Sequence, residues 1–264
     1  MKRPKNSKTE AFNSLPKGLE LNYISPDPDG CITISDRDEF SYYCYNISQG
    51  RCINVNHLAC SSVFVPNVNN CLEKISVNQN IVRSGGSALA ELTSLKISAV
   101  KGSGYVLVAG SKQPTPNAKK QIITHNKGEY YHVNKPWGHE LWINGEHPIF
   151  NFKEVFIKKG FQTSLQYHNE KIEAALLFKG ICEIFYKSNP DVNNDEVSKA
   201  DISFTRIDQM GKICVEPKTL HRVGAYTDMY YYEVSTPQLD DVIRVHDDNN
   251  RGHGRIKSEH IKAP

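Results

Sequence analysis

The stretch Gly160-Phe-Gln-Thr-Ser-Leu-Gln-Tyr-His-Asn-Glu-Lys-Ile-Glu173 concentrates groups that can do chemistry. Alternate side chains of a β-strand share a face, so Ser164, Gln166 and His168 point one way and Thr163, Leu165 and Tyr167 the other. Three polar groups in a row on an inner face are costly unless a metal or a polar ligand satisfies them. Five residues after His168, Glu173 heads the apolar segment Ala174-Ala-Leu-Leu-Phe178, and His221 follows the turn Pro217-Lys-Thr-Leu. Gln166, His168, Glu173 and His221 together make a nitrogen and oxygen donor set for one divalent cation. Two imidazoles suit zinc, iron, nickel or manganese, and no thiolate is required. Each piece alone is weak, because a Gln-x-His pair on a strand is more often a surface face; the combined spacing is what points to a metal.

Other residues carry weaker signals. Glu233 lies in Tyr230-Tyr-Tyr-Glu-Val, in phase with Met229 and Tyr231, where it serves either as a catalytic carboxylate or as the partner of a buried tyrosine hydroxyl. Trp137, between Pro136 and Gly138, reads as a plug at a barrel end. His246, His253 and His260 fall in a charged tail and are expected to be solvated. Arg83-Ser-Gly-Gly-Ser87 is glycine-rich but follows no strand–helix unit, which argues against a phosphate loop.

The elements that must position these groups are short strands. From Gly18 to Lys112 turn chemistry recurs at PDPDG, SQG, SGG and KGSG, and segments such as Cys31-Ile-Thr-Ile-Ser are β-branched and brief. Residues 113–130, polar and containing two prolines, read as a linker. Strands resume from Tyr131, with Phe152–Lys158, Thr163–His168, Ala174–Phe178, Ile181–Tyr186, Lys212–Glu216 and Met229–Thr236 as examples. Residues 1–17 read as a flexible arm, 18–112 as a metal-free N-terminal β domain, 131–255 as the domain with the metal site and 256–264 as a tail. Short strands at roughly ten-residue spacing call for a sandwich, jelly roll or barrel, so the fold class is all-β.

Composition narrows the function. The 32 basic and 29 acidic residues leave +3, too balanced for a nucleic-acid surface. No run approaches the ~18 apolar residues of a membrane helix, and the basic N-terminus has no apolar segment behind it, so a cytoplasmic protein is expected. Seven cysteines, an odd number without a CxxC pair, read as reduced thiols packed as small hydrophobes.

Lys135-Pro-Trp-Gly138, Ser164-Leu-Gln-Tyr-His168, Glu173, Gly180, Pro217 to His221-Arg222, Glu233-Val234 and Asp240-Asp-Val-Ile-Arg244, with Asp247 and Arg251, resemble the cupin domain of type II mannose-6-phosphate isomerases. The same domain ends the bifunctional mannose-1-phosphate guanylyltransferases. The resemblance covers residues 133–255. It implies a jelly-roll barrel in the C-terminal half. For the N-terminal half, where nothing comparable occurs, strand spacing alone calls for a β domain, with a second, degenerate cupin, and so a bicupin, as one form of it. The resemblance implies one metal held by Gln166, His168, Glu173 and His221, with zinc first and manganese, iron, nickel or cobalt as the others. A sugar-phosphate pocket is implied near Ser164 and Lys171, with Arg244 as a functional arginine. Where the family often has His-His-Arg, this chain has Asn169-Glu170-Lys171, and Lys171 keeps the charge but lacks the bidentate fork of arginine.

The implied activity is aldose–ketose isomerisation of a phosphorylated hexose through a cis-enediol. Glu233 or Lys171 would be the base, and Lys171, Arg222 and Arg244 the cations for the phosphate. Strand phase sets Arg244 beside Asp240, which would hold its guanidinium. One alternative is a non-catalytic sugar-binding or regulatory cupin that keeps the metal. The other is an iron(II)-dependent cupin oxygenase built on two histidines and a carboxylate. The expected partner is a small phosphosugar, with neither nucleic acid nor membrane, and a homodimer follows from the family and from edge strands that need covering.

Overall fold

The computed structural model describes residues 15–189 and 191–260. The expected arm therefore lies outside the described residues up to position 14, and Leu15 already packs against a core. The first half holds β1 (Leu19–Tyr23), β2 (Cys31–Asp36), β3 (Ser41–Ile47), β4 (Cys52–Val55), β5 (Cys60–Phe64), β6 (Cys71–Val77), β7 (Asn80–Arg83), β8 (Ser87–Ala90), the long β9 (Leu95–Ser111) and β10 (Ile122–His125). The second half holds β11 (Tyr131–Lys135), β12 (Gly138–Trp142), β13 (Asn151–Ile157), β14 (Leu165–Tyr167), β15 (Glu173–Lys179) and β16 (Ile181–Lys187). It continues with β17 (Ile202–Asp208), β18 (Gly211–Val215), β19 (His221–Ala225), β20 (Met229–Ser235) and β21 (Ile243–His246). Short 3₁₀ turns, the last at Lys257–His260, are the only helical elements among the described residues, and none is long and apolar enough to cross a membrane.

A seven-stranded sheet, β1-β18-β15-β20-β13-β12-β11, faces a five-stranded sheet, β17-β16-β19-β14-β21, and the two enclose the C-terminal barrel. The N-terminal barrel is built on β10-β8-β5-β9-β3-β2, with β4 and β6 joined to the far end of β9 and β7 to β6. Sharp glycine turns close the hairpins. At Gly180, between β15 and β16, φ is +97° and a Cβ would lie 2.5 Å from the Asp228 carbonyl, so no side chain fits.

Strand alternation divides the apolar residues among three cores. On β20, Met229 and Tyr231 point into the C-terminal barrel while Tyr232 and Val234 point away from it. On β15, Ala175 and Leu177 point inward while Ala174, Leu176 and Phe178 point outward. The outward set meets Tyr42, Cys44, Phe64 and Leu107 from the N-terminal barrel, whose own interior takes Tyr43, Val63, Val106 and Val108. A sheet covered on both faces reads as an unbroken apolar run, which is the pattern of Glu-Ala-Ala-Leu-Leu-Phe in β15. Of the seven cysteines, Cys44, Cys60, Cys182 and Cys214 are buried as small hydrophobes, while Cys31 is half-buried and Cys52 and Cys71 are exposed.

Two segments differ from the local reading. β1 runs antiparallel to β18, Leu21 opposite Ile213, and so extends the C-terminal sheet instead of the N-terminal one. The stretch 113–130 is more than a linker, because Ile122–His125 pairs with β8 as an edge strand. Both pairings are long-range, and local spacing carries no information about them.

Candidate metal centre

β14 is the axis of the site. Gln166 lies opposite His221 of β19 on one side and opposite Arg244 of β21 on the other. Glu173 reaches in from β15 of the facing sheet. As strand phase requires, Ser164, Gln166 and His168 all line the barrel cavity, together with Glu173 and His221. The cavity encloses about 120 Å³.

His168, Glu173 and His221 are buried, and their ligand atoms lie within 4.8 Å of one another. Nε2 of His168 is 3.3 Å from one carboxylate oxygen of Glu173, and Nε2 of His221 is 3.4 Å from the other. The ring of each histidine is fixed by its other nitrogen. Nδ1–H of His221 donates to the Thr219 carbonyl at 2.9 Å, and Nδ1–H of His168 donates to the Asp241 carbonyl. A carbonyl only accepts, so Nδ1 carries a proton in both rings and each Nε2 faces the carboxylate. Nε2 of His168 is buried without a hydrogen bond; its approach to Glu173 lacks hydrogen-bond geometry. Two imidazole Nε2 atoms converging with a carboxylate fit a divalent metal, which would take their lone pairs, and the carbonyl contacts are the outer support such ligands usually have. Gln166 is oriented from behind, its Oε1 accepting from the Ser164 hydroxyl at 2.7 Å.

The rest of the cavity wall is densely charged. Lys171 is buried with its ammonium bonded to Glu173 and 3.3 Å from Glu233. Burial works against that charge, but Glu173 and Glu233 outweigh it and hold Lys171 above the ordinary lysine range. Burial also raises the Glu140 carboxyl, yet Lys153 and Lys135 overcome this and keep it well below the ordinary range. Lys153 lies 3.4 Å from Glu140, and Lys135 lies 2.9 Å from Glu259.

A C-terminal strap closes the mouth. β21 pairs with β14, Arg251 binds Asp247 at 2.7 Å and Glu259 at 3.3 Å, and the Tyr131 hydroxyl donates to the His260 carbonyl at 3.0 Å. The tail expected to be solvated is therefore partly structural. Arg251, Glu259 and His260 are half-buried against the barrel, while His246 and His253 are exposed as expected.

Arg244 also lines the cavity, but with different partners from those expected. Asp240 binds Arg255 at 2.9 Å, because β21 starts only at Ile243 and strand phase does not extend back to Asp240. Asp247 binds Arg251. Arg244 instead donates to the carbonyls of Gly252 and Gly254, the latter at 2.8 Å, and to the Ser164 hydroxyl at 3.2 Å. Among the described residues it has no carboxylate at ion-pair distance.

Arg222, expected at the phosphate, faces away from the cavity. It follows His221 on β19, so alternation turns it to the outer face, where it contacts His246 and Asp248. Trp137 is 4% exposed and packs in the barrel core, lining the cavity as well. Glu140 and Lys153 carry no sequence motif, and Lys135 and Asp241 enter the sequence reading only as members of Lys135–Gly138 and Asp240–Arg244, without a role. The signal for Lys153 was a charge within the apolar run Asn-Phe-Lys-Glu-Val-Phe-Ile.

No family model and no curated protein matches the sequence. Solved structures do match. YlbA from E. coli superposes with a TM-score of 0.60 at 10% identity, over 88% of this chain and 98% of that one. An IolB-like protein from Salmonella typhimurium gives 0.61 at 12% identity, over 91% and 97%. Oxalate decarboxylase from Bacillus subtilis, solved in a study of its Mn(II) centres, gives 0.57 at 10% identity, over 89% and 84%. The fold is that of a bicupin. At these identities the likeness extends to both barrels as architecture, and the buried His168–Glu173–His221 triad falls in the C-terminal one.

Proposed function

We propose that the C-terminal barrel is the active site of a divalent-metal-dependent aldose–ketose isomerase acting on a phosphorylated hexose of the mannose-6-phosphate type. The observation that carries this reading is Arg244. Lys135, Lys153, Lys171, Arg251 and Arg255, which line the same cavity, each have a carboxylate within 4 Å, and Arg244 has none among the described residues. A half-buried guanidinium held by neutral acceptors favours an anionic ligand. Arg244 and His221 flank Gln166 from opposite sides, two strand spacings or about 10 Å apart across the sheet. A hexose phosphate spans such a distance, with its phosphate at Arg244 and its carbonyl end at the triad.

His168, Glu173 and His221, with Gln166 beside them, would hold the metal. When bound, it supplies Lewis-acid polarisation of the carbonyl and stabilises negative charge on the enediolate. The chain's own residues do the rest. Glu233, 13% exposed on the cavity wall, takes the proton from one carbon and returns it to its neighbour. Lys171 is an ammonium already shared between Glu173 and Glu233, so it orients the base and does not act as one. The strap from Arg244 to His260 excludes water from the enediol. Zinc is the first metal to test, and manganese the second, given the Mn(II) centres of the oxalate decarboxylase.

The same triad supports a second reading, an iron(II) oxygenase, because two histidines and one carboxylate leave positions open for other ligands. A metal-loaded sample assayed across a phosphosugar panel, with oxygen uptake followed in parallel, separates the readings. Interconversion of an aldose and a ketose phosphate without oxygen uptake is expected. Oxygen consumption with no isomerisation overturns the proposal, and binding without turnover makes the protein a sugar-binding cupin.

A further inference from the structure

A second cavity lies between the two barrels, on the opposite face of the seven-stranded sheet from the metal centre. It holds about 460 Å³ and is walled from both halves of the chain, by Phe64 and Gly85 on one side and His139, Leu141, Glu154 and Tyr230 on the other. Its apolar and aromatic lining is the usual environment of a small-molecule site.

The polar groups inside it are few and incompletely matched. Glu154 is 4% exposed. One of its carboxylate oxygens accepts from the Tyr232 hydroxyl at 2.8 Å, and the other has no hydrogen-bond partner among the described residues. No cation reaches ion-pair distance of it there. The Lys127 stem lies across Gly85, where an added Cβ would come within 3.1–3.2 Å of it. The Tyr130 hydroxyl, also on the cavity wall, is buried without a hydrogen bond. Rings surround these groups: His132 and His139 are 4.9 Å apart, His139 lies 5.2 Å from Phe156, and Phe156 lies 4.7 Å from Tyr230. The Arg83–Ser87 turn forms the rim. Gly85 has φ +79°, and Gly86 has backbone oxygens within 3.0 Å of where a Cβ would be, so both glycines keep this turn low against the cleft.

We infer that this inter-barrel cavity binds a small aromatic amine, its ammonium on Glu154 and its ring among Tyr130, His139 and Tyr230. A buried carboxylate with no contact ion pair, which Lys127 on the same wall acts on only from a distance, favours a cationic ligand, and aromatic faces attract both a flat ring and an ammonium. The inference is independent of the isomerase reading, since it uses none of the residues of the metal centre.

Phenethylamine is a suitable probe, titrated into the metal-loaded full-length chain by calorimetry, with benzoate as the anionic comparison. One equivalent of phenethylamine is expected to bind saturably, and benzoate not to bind. Glu154→Gln should weaken binding at least tenfold. Leu141→Trp, which fills the cavity from the strand position opposite Glu154, should abolish it. Metal content should be unchanged in both variants. If Glu154→Gln fails to fold, Leu141→Trp decides alone. Absence of saturable binding, binding of benzoate as tight as that of the amine, or amine binding that survives either folded variant overturns the inference.

Discussion

Asp241 holds His168 and its flanking loop at once. Its backbone oxygen accepts the Nδ1 proton of His168, and its carboxylate accepts the backbone N–H groups of Asn169, Glu170 and Lys171 at 2.9, 2.6 and 3.0 Å. Burial raises the carboxyl of Asp241, but those three N–H groups outweigh it and hold the pKa below the ordinary value. A ligand ring and the turn leading to Glu173 are thus set by one residue just ahead of the strap. Losing such outer support typically costs 10–100-fold in metal affinity. Asp241→Ala keeps the carbonyl that holds His168 and removes only the carboxylate's grip on residues 169–171, so it should weaken metal binding toward the lower end of that range while leaving the fold intact, as read by chelator competition alongside circular dichroism. Unchanged affinity would remove the Asp241 carboxylate from any positioning role.

The ligand set itself predicts a sharper result. His168→Ala combined with His221→Ala removes two of the three converging groups, and the variant should carry no stoichiometric metal by elemental analysis. A ligand that binds only the folded state stabilises it by about 2.7 kcal/mol at one hundred times its Kd. Chelation should therefore lower the melting temperature of the parent protein and leave that of the double variant unmoved. A double variant that still carries tightly bound metal would place the site elsewhere.

Much of this site could be read from sequence because it is encoded locally. Ser164, Gln166 and His168 differ by two, and the chain on either side of β14 stays extended enough for a period of two to keep them on one face, although β14 itself spans only Leu165–Tyr167 and Thr163 reaches the same cavity. The same rule turns Arg222 outward once His221 points inward, so its placement was within reach of the sequence too. Asp240 and Arg244 misled, because the rule holds only within a strand and β21 begins between them. Lys135 and Lys153 share Glu140 across β11, β12 and β13, and Glu259 from the C-terminal strap completes the match. That matching depends on which strands become neighbours. The union of β1 with β18 is of the same kind, decided by chain ends that meet only in the folded molecule.

The interface between the barrels should be as essential as either interior. Phe152 is fully buried there, with its ring 5.7 Å from Tyr42 and 6.1 Å from Phe64. Phe152→Ala should destabilise the protein by about 3–5 kcal/mol, the usual cost of deleting a buried phenylalanine. Because the ring belongs to a core shared by both halves, denaturant unfolding should remain a single transition shifted to lower concentration. Two separated transitions in the parent protein would mean that the barrels fold independently.

Glu154 gives stability a pH dependence of definite sign. Burial holds its carboxyl above the ordinary value of 4.5, and the hydrogen bond from Tyr232 only partly offsets this. Between the unfolded and the raised folded pKa, the native state binds more protons than the unfolded chain, so stability falls as pH rises through that window. Below the unfolded value, and above the folded one, this residue contributes no slope. Glu154→Gln should remove the fall, which is measurable as the difference between parent and variant melting temperatures from pH 4.5 upward. A variant with the same slope as the parent would show that Glu154 is not its source.

Arg244 is the residue on which the substrate reading turns. Its guanidinium is fixed by the Gly254 carbonyl at 2.8 Å and by the Ser164 hydroxyl at 3.2 Å, and that hydroxyl donates onward to Gln166 at 2.7 Å. Neutral acceptors orient the group without cancelling its charge, so the field of the cation is left for a ligand. A phosphorylated sugar brings close to two negative charges into a half-buried site and needs such a partner. Arg244→Ala should therefore reduce kcat/KM on the best phosphosugar by about 2–4 kcal/mol, the scale of losing one positioned electrostatic donor. Arg244→Lys should recover only part of that loss, since lysine cannot span two carbonyls and a hydroxyl with a planar fork. Metal content should be the same in parent and variants, because the Arg244 side chain reaches that of Gln166 only through Ser164, and the backbone pairing of the two residues survives the substitution. Near-parental activity in Arg244→Ala would sink the phosphate assignment. Loss of the metal together with the activity would instead make the Arg244–Ser164–Gln166 chain a support of the metal centre.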